Sequence, residues 1–164
     1  SLTEVSKKEY KDGDTFLFLG NEYGLTLVKP QRSALKFENG FRLGNTVQNN
    51  GERFFTQWYK EQAYKVIADR VKVFSVQFGF VPKQVKISSA RTRWGSCSPD
   101  GTLNFTWRLI MAPLDVVDYV VVHELVHLRV KDHSRRFWHE VEKILPEYKD
   151  RKKWLRAHGE SLSL

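Results

Sequence analysis

Cysteine is nearly absent from this chain of 164 residues, which has a single one at Cys97. One thiol excludes an intramolecular disulfide, and it excludes a zinc site built from several thiolates. The sequence also lacks any apolar run close to the roughly 20 residues that a membrane span needs. Its first residues, SLTEVSKKEY, lack the apolar core of a signal peptide. We therefore expect a soluble cytoplasmic protein without a membrane partner.

Low-complexity segments, Pro- or Gly-rich linkers and internal repeats are absent as well. Residues 15–48 predict strands, with a hairpin at Asn39-Gly40 between two short β-prone runs. Residues 52–78 predict one long helix that stops at Gly79, and its apolar residues recur at helical spacing. That stripe is typical of a core-facing helix surface rather than of a cofactor site.

The second half of the chain predicts strands first and helices afterwards. Strands are expected between residues 84 and 107, and the helical pattern begins at Pro113. Ser134 is a suitable N-cap for a further helix, and Pro146 ends that helix and opens a last one. Strands, a long helix, strands and then helices indicate an α+β fold rather than alternating βαβ units.

The net charge of +8 is unevenly distributed. Residues 129–156 contain ten Lys or Arg against five Asp or Glu, and residues 83–108 contain five against one. Such a basic field attracts nucleic acid, nucleotides or acidic peptides. A solvated surface made basic for solubility is the alternative, and no alternation of aromatic and basic residues decides between the two.

The segment VVHELVHLRVKDH, residues 121–133, holds three of the five histidines and a glutamate. His123 and His127 are four residues apart, so on a helix their side chains share one face and can bind one Zn²⁺. Glu124 is rotated by about a quarter-turn, which suits a general base acting on water at the ion. A chance pair on a helix is the alternative, but these polar groups stand among apolar residues and need a partner.

Two protein ligands are too few for a catalytic zinc site, which usually has three. His133 follows six residues after His127, where the helix is expected to end and the chain can turn back. We predict His133 as the third ligand. Glu140 or Glu142 of the next helix is the rival, and a surface histidine beside an N-cap is the non-functional interpretation.

The spacing His-Glu-x-x-His-x5-His resembles that of the metzincins, although Val130 stands where they have glycine. A closer resemblance covers nearly the whole chain. The segments RWGSCSPDGTLNFTWRLIMAP, DYVVVHELVHL, DHSRRFW and PEYKDRKKWL, with GDTFLFLGNEYGLTLV near the N terminus, resemble the YgjP-like metal-dependent hydrolases. These are small zincin-like proteins related to the SprT and WLM metallopeptidase domains.

The resemblance implies a zincin-like α+β fold with N-terminal β-hairpins and sheet, a long helix, an active-site helix and following helices. An edge strand lines the cleft in such a fold. The resemblance also implies His123, His127 and His133 as zinc ligands and Glu124 as the catalytic base. We expect one domain over residues 1–164, with a mainly β part over 1–50 and the catalytic core over 51–164.

The expected function is that of a zinc-dependent metallopeptidase acting on peptides or proteins. A metal-dependent phosphohydrolase acting on nucleotides, or a DNA-associated protease, is the first alternative, because of the basic segments. A non-catalytic binding module stabilised by zinc is the second, but Glu124 argues against it, since a structural site needs no base.

Other residues near the motif are weaker candidates. Arg93, or Arg91, could bind an anionic group of the substrate, whereas Trp94 and Gly95 are interpreted as core packing and a bend. Tyr148 is a candidate for substrate binding and, with His139, for stabilising an oxyanion. Cys97 is expected to be a small buried or half-buried residue.

Overall fold

A computed structural model describes residues 7–164 and has the expected α+β composition. Residues 1–6 lie outside the described residues. They include the start of the mainly β part expected over residues 1–50 and the start of the segment SLTEVSKKEY. The strands are β1 (Thr15–Phe18), β2 (Asn21–Val28), β3 (Leu35–Phe37), β4 (Phe41–Gly44), β5 (Gln84–Ser88), β6 (Gly95–Cys97) and β7 (Thr102–Thr106). The helices are α1 (Gly51–Phe78), α2 (Leu114–Val126), α3 (Arg135–Ile144) and α4 (Tyr148–His158).

The N-terminal sheet has the strand order β1-β2-β4-β3. The hairpin predicted at Asn39-Gly40 is confirmed, since β3 pairs with β4 in antiparallel fashion, and β1 and β2 form another antiparallel hairpin. Leu19 and Gly20 form the first turn, and both have positive φ angles, which a two-residue hairpin turn of this hand requires. The parallel pairing of β2 with β4 joins the two hairpins, and nothing in the sequence pattern predicts it.

Helix α1 covers the predicted residues 52–78 and ends at Gly79, whose left-handed backbone (φ 76°) closes the last turn. Its buried residues recur at intervals of three or four; they are Gly51, Phe55, Tyr59, Ala63, Ile67, Val71 and Phe74. They form one continuous hydrophobic core with the N-terminal strands, β7 and α2. Helix α1 therefore joins the N-terminal sheet to the second half of the molecule.

The second sheet has the order β5-β7-β6, so the short strand β6 lies at its edge. Strand β7 is parallel to β5 and antiparallel to β6. One face of β6 packs directly on α2. The approach is so close that a Cβ atom added at Gly95 would lie only 3.0 Å from Cγ of Glu124. The sequence interpretation of Gly95 as part of a bend is wrong: the chain bends before it, and Gly95 begins the strand.

Helix α2 is almost entirely buried, which explains its Val-rich sequence. An ion pair ties it to α1: Arg70 donates from Nε and Nη2 to the two carboxylate oxygens of Asp118, at 2.7 and 2.9 Å. Ser134 caps α3 as predicted, since its hydroxyl accepts from the Phe137 amide. Over residues 7–164, no helix combines the length and apolar character required to cross a membrane.

Candidate active site

The C-terminal end of α2 carries the first two predicted metal ligands. His123 lies in the last turn of α2, and His127 is its C-cap residue with a helical backbone, so the two side chains share one face. Nδ1 of His127 lies 3.0 Å from the carbonyl oxygen of Val130. When Nδ1 donates its hydrogen to this oxygen, Nε2 keeps a free lone pair that points at the site.

The turn after α2 brings His133 back to this pair. Nε2 of His133 lies 3.1 Å from Nε2 of His127. One potential ligand atom from each of His123, His127 and His133 lies within 4.8 Å of the other two. Among residues 7–164, neither Glu140 nor Glu142 belongs to such a group. The rival choice of a third ligand from α3 therefore has no geometric support.

The donor set and its spacing fit a zinc ion. Two nitrogen ligands at 2.0–2.1 Å from a tetrahedral ion are separated by about 3.3 Å, close to the separation between the Nε2 atoms of His127 and His133. Partial loss of hydration, and next the neighbouring His123 and His127, lower the pKa of His133. A lowered pKa favours the neutral imidazole, which is the form that binds a metal.

Glu124 is buried, with only 4% of its surface exposed. Its carboxylate oxygen Oε2 lies 2.9 Å from Nδ1 of His123. In the tautomer that carries hydrogen on Nδ1, His123 donates to this carboxylate and its Nε2 remains free for a metal. Because Gly95 has no Cβ, strand β6 approaches close to the glutamate side chain. Glu124 is thus held between α2 and the edge strand.

Aromatic rings hold the three imidazoles in place. Phe137 of α3 is fully buried, and its ring centroid lies 4.4 Å from that of His127 and 5.0 Å from those of His123 and His133. Trp138 stacks on Tyr148, and its ring also stacks on that of His133, with the two ring centroids 6.1 Å apart. The capping of α3 by Ser134 therefore positions two rings against the histidines.

A cavity of about 360 Å³ opens in front of these groups and is large enough for part of a peptide. The cavity is lined by His123, Glu124, His127, Lys131, His133 and by residues 95–99. Cys97 is half-buried in its wall, as expected. Burial, and then the charge of Glu124, raise the pKa of the Cys97 thiol, which favours the neutral form over a thiolate ligand.

The other candidates from the sequence lie outside this cavity. Arg91 and Arg93 line a separate cavity beyond Trp94. Tyr148 is buried under Trp138 and lines a groove on the outer side of His133, together with the exposed His139. Trp94 packs against the core as expected, but it also lines two cavities.

Sequence reasoning missed Tyr119, one helical turn before His123. A cavity of about 390 Å³ is shared by Tyr119, His123, Glu124 and Trp94. Burial, and then the charge of Glu124, raise the pKa of Tyr119 to about 12, so its hydroxyl keeps its proton at neutral pH. The i, i+4 spacing to His123 could have identified it, but within the apolar run DYVVV the residue is indistinguishable from a core tyrosine.

Comparisons with known proteins concern the family and the fold of the chain. The family model described as "YgjP-like, metallopeptidase domain" matches residues 1–158. The structure is similar to the metallopeptidase zymogen of Pyrococcus abyssi abylysin, with a TM-score of 0.51 and 24% identity over 57% of this chain and 93% of that one. It is also similar to the zymogen of Methanocaldococcus jannaschii jannalysin, with a TM-score of 0.50 and 18% identity over 56% and 94%. No curated protein sequence matches. The fold is that of the zincin-like metallopeptidases, as expected.

Proposed function

Because the chain belongs to the YgjP-like metallopeptidase family, we propose that it is a zinc-dependent peptidase. His123, His127 and His133 hold the ion, and Glu124 is the general base. The observation that carries the proposal is the convergence of three imidazole nitrogens within 4.8 Å, beside a buried carboxylate, at the floor of an open cavity.

The choice of zinc rests on the ligands. Three imidazoles suit zinc better than magnesium or calcium, which prefer oxygen ligands, and three protein ligands are the usual number in a catalytic zinc site. Zinc held by these three histidines would polarise the carbonyl of the scissile peptide bond and would make a water molecule more acidic. A water-free site with four protein ligands would instead indicate a structural role.

Glu124 performs the proton transfers in this proposal. Its carboxylate takes a proton from the attacking water and delivers it to the amide nitrogen as the peptide bond breaks. Its contact with His123 holds the carboxylate at the site before substrate binds. Tyr119, which stays protonated and lines the adjoining cavity, is placed to donate a hydrogen bond to negative charge that develops on the carbonyl oxygen.

Strand β6 offers a backbone for aligning an extended peptide. The Thr106 amide donates to the Trp94 carbonyl and the Ser98 amide to the Thr102 carbonyl, so both ends of β6 bond to β7. Because bonding directions alternate along a strand, the backbone groups of Gly95 and Cys97 point to the free edge. That edge borders the cavity, so a substrate strand paired with it passes over the histidines.

The test is Glu124→Gln, which removes the base and keeps the shape. We expect zinc to remain bound at one ion per chain and peptide hydrolysis to fall by about 10²–10⁴-fold. Metal content is measured on the protein, and turnover is measured in parallel on unlabelled peptide mixtures. Glu61→Gln, at an exposed position of α1, is the control. Undiminished hydrolysis by the Glu124→Gln variant would disprove the role of the glutamate.

The phosphohydrolase alternative is tested in the same assay with nucleotide substrates. Release of phosphate that depends on Glu124, without cleavage of any peptide, would replace the peptidase proposal. The cytoplasmic location expected from the sequence stays a prediction.

A further inference from the structure

A second cavity, of about 300 Å³, lies beside the active site and is lined by four arginines from three separate segments. Arg91 and Arg93 precede β6, Arg108 follows β7, and Arg156 belongs to α4. We propose that these arginines, which we call the arginine cavity, form a subsite for one carboxylate of a peptide substrate. The carboxylate is either an acidic side chain or the C-terminal group. The proposal rests on the peptidase function proposed above.

Arg108 is the buried arginine of this cavity. Only 9% of the residue is exposed, although arginine is seldom buried without a partner. Its Nη1 donates to the carbonyl oxygens of Ser89 and Ala90, at 2.8 and 3.2 Å, and its guanidinium lies 4.3 Å from the Trp107 ring centroid. These contacts fix the orientation of the guanidinium without neutralising its charge.

The described residues provide no carboxylate that is paired with the arginines of the cavity. Among residues 7–164, the ion pairs include none of the four arginines. Burial, and then the charge of Arg91, lower the pKa of Arg108, so two guanidinium groups repel each other there. Glu160 also lines the cavity, but it is exposed and pairs with neither. A bound anion would relieve this repulsion.

The arginine cavity adjoins the proposed site of catalysis. Trp94, Leu155 and Arg156 line both the arginine cavity and the cavity of about 390 Å³ that reaches His123 and Glu124. A peptide whose backbone lies along β6 can therefore place one of its ends or side chains among the arginines, past Trp94. The subsite would act by holding the substrate rather than by chemistry.

A carboxylate of a peptide fits this site better than a nucleic acid. The cavity is bounded by apolar walls from Trp94, Leu155 and Leu162, and its volume suits one small anionic group rather than a run of phosphates. Nucleic acids are usually bound along extended basic surfaces with stacking platforms. Planar guanidinium groups pair with a carboxylate through two parallel hydrogen bonds.

The test measures peptide binding to zinc-loaded Glu124→Gln protein, which does not consume the substrate. Labelled peptides of one sequence carry a single Glu at successive positions that are otherwise Gln, each with a free or an amidated C terminus. We expect one Glu position, or the free C terminus, to strengthen binding by about 10-fold or more. Fluorescence polarisation supplies the dissociation constants, and the position identifies which kind of carboxylate is bound.

Charge variants of the cavity decide the assignment. Added to this protein, Arg91→Gln and Arg156→Gln, both at exposed positions, should abolish the preference for the acidic peptide, and Glu160→Gln should increase it. Arg53→Gln on α1 removes the same charge far from the cavity and should preserve the preference. Arg108→Lys keeps the positive charge but removes the planar guanidinium group that can form two parallel hydrogen bonds. Circular dichroism checks whether this variant folds. If it does not fold, the Arg91→Gln and Arg156→Gln variants decide the outcome.

Three results would overturn the subsite. The first is equal binding of the Glu and Gln peptides, and the second is that Arg53→Gln abolishes the acidic preference as fully as the cavity variants do. The third is an oligonucleotide that binds more tightly than every peptide and whose binding is lost in the Arg91→Gln variant. The last would assign the cavity to nucleic acid. Because binding is measured without turnover, the subsite and the peptidase function can fail separately. A preference for acidic peptides in a chain that hydrolyses no peptide would uphold the subsite and reject the peptidase function. Hydrolysis without that preference would uphold the peptidase function and reject the subsite.

Discussion

Two clusters of aromatic rings lie in different halves of the molecule and serve different ends. The first, the N-terminal cluster, joins the N-terminal sheet to α1, with ring centroids 4.0–6.5 Å apart; its members are Tyr10, Phe16, Phe18, Tyr23, Phe37, Phe41, Phe55, Trp58 and Tyr59. The second, the histidine cluster, packs Phe137, Trp138 and Tyr148 around His123, His127 and His133.

The difference lies in what the rings contribute. Most rings of the N-terminal cluster bury apolar surface, which stabilises the fold. In the histidine cluster, the rings restrict the rotation of imidazoles that are themselves half-buried or exposed. Substitutions in the first cluster should therefore change the free energy of unfolding, and those in the second should change metal binding.

The largest effect is expected at His133. His133→Ala removes the proposed third zinc ligand, which lies at an exposed position, so activity should fall by about 10²–10⁴-fold, as expected for loss of the proposed base. The unfolding free energy of the metal-free protein should be unchanged. Zinc content after dialysis and peptide turnover measure the first effect, and urea unfolding measures the second. His158→Ala, at the exposed end of α4, should keep both zinc and activity; a fully active His133→Ala variant would exclude His133 as a ligand.

The opposite pattern is expected at Phe55. This fully buried ring stacks on Phe16 at 4.0 Å and contacts Phe41 at 4.9 Å, so Phe55→Ala should lower the free energy of unfolding by about 3–5 kcal/mol. The zinc affinity of the folded protein should not change. Denaturant titration and a chelator competition assay measure the two quantities. The adjacent, only half-buried Phe54 is the matched control, and Phe54→Ala should have a smaller effect. Loss of zinc binding in folded Phe55→Ala protein would show that the clusters are not independent.

The sequence predicts the three histidines of the histidine cluster but not the aromatic rings that pack around them. The four-residue spacing of His123 and His127 and the N-cap at Ser134 were enough to place two histidines on one face and start the next helix. The proximity of His133 followed from the need for three nitrogens, and its ligation stays a prediction. The sequence indicates Arg93 or Arg91 as a residue that could bind an anionic group, but the arginine cavity could not be predicted. Arg108 and Arg156 come from segments whose contact with these residues depends on the tertiary fold.

A smaller effect is expected at Phe137, which belongs to both kinds of packing. Phe137→Leu keeps an apolar side chain under the histidines but removes the ring that stacks on His127. We expect the zinc affinity to fall by about 10-fold, the lower end of the range for residues that orient metal ligands, with a stability loss of less than about 1.5 kcal/mol. Competition with a chromogenic chelator measures the affinity. Phe74→Leu, the same exchange in α1, should leave zinc affinity unchanged; equal affinities in the wild type and the Phe137→Leu variant would refute the orienting role.

The smallest effect concerns a buried polar atom at the border of the N-terminal cluster, where the Tyr59 ring contacts Trp58. The Tyr59 hydroxyl donates to the Leu17 carbonyl oxygen at 2.6 Å, so Tyr59→Phe should reduce stability at pH 7 by about 1 kcal/mol. Burial raises the pKa of Tyr59. The unfolded chain therefore loses this proton first, near its ordinary pKa of about 10, and the wild type loses stability as the pH rises further.

Tyr59→Phe lacks this titration, so its stability difference from the wild type should narrow above about pH 10. Urea unfolding at pH 7 and pH 10.5 measures the change, with Tyr64→Phe on the exposed face of α1 as the control. A difference that stays constant with pH would mean that the Tyr59 hydroxyl also ionises readily in the folded protein. The N-terminal cluster would then be more accessible to water than its packing indicates, and the contrast with the histidine cluster would be one of degree.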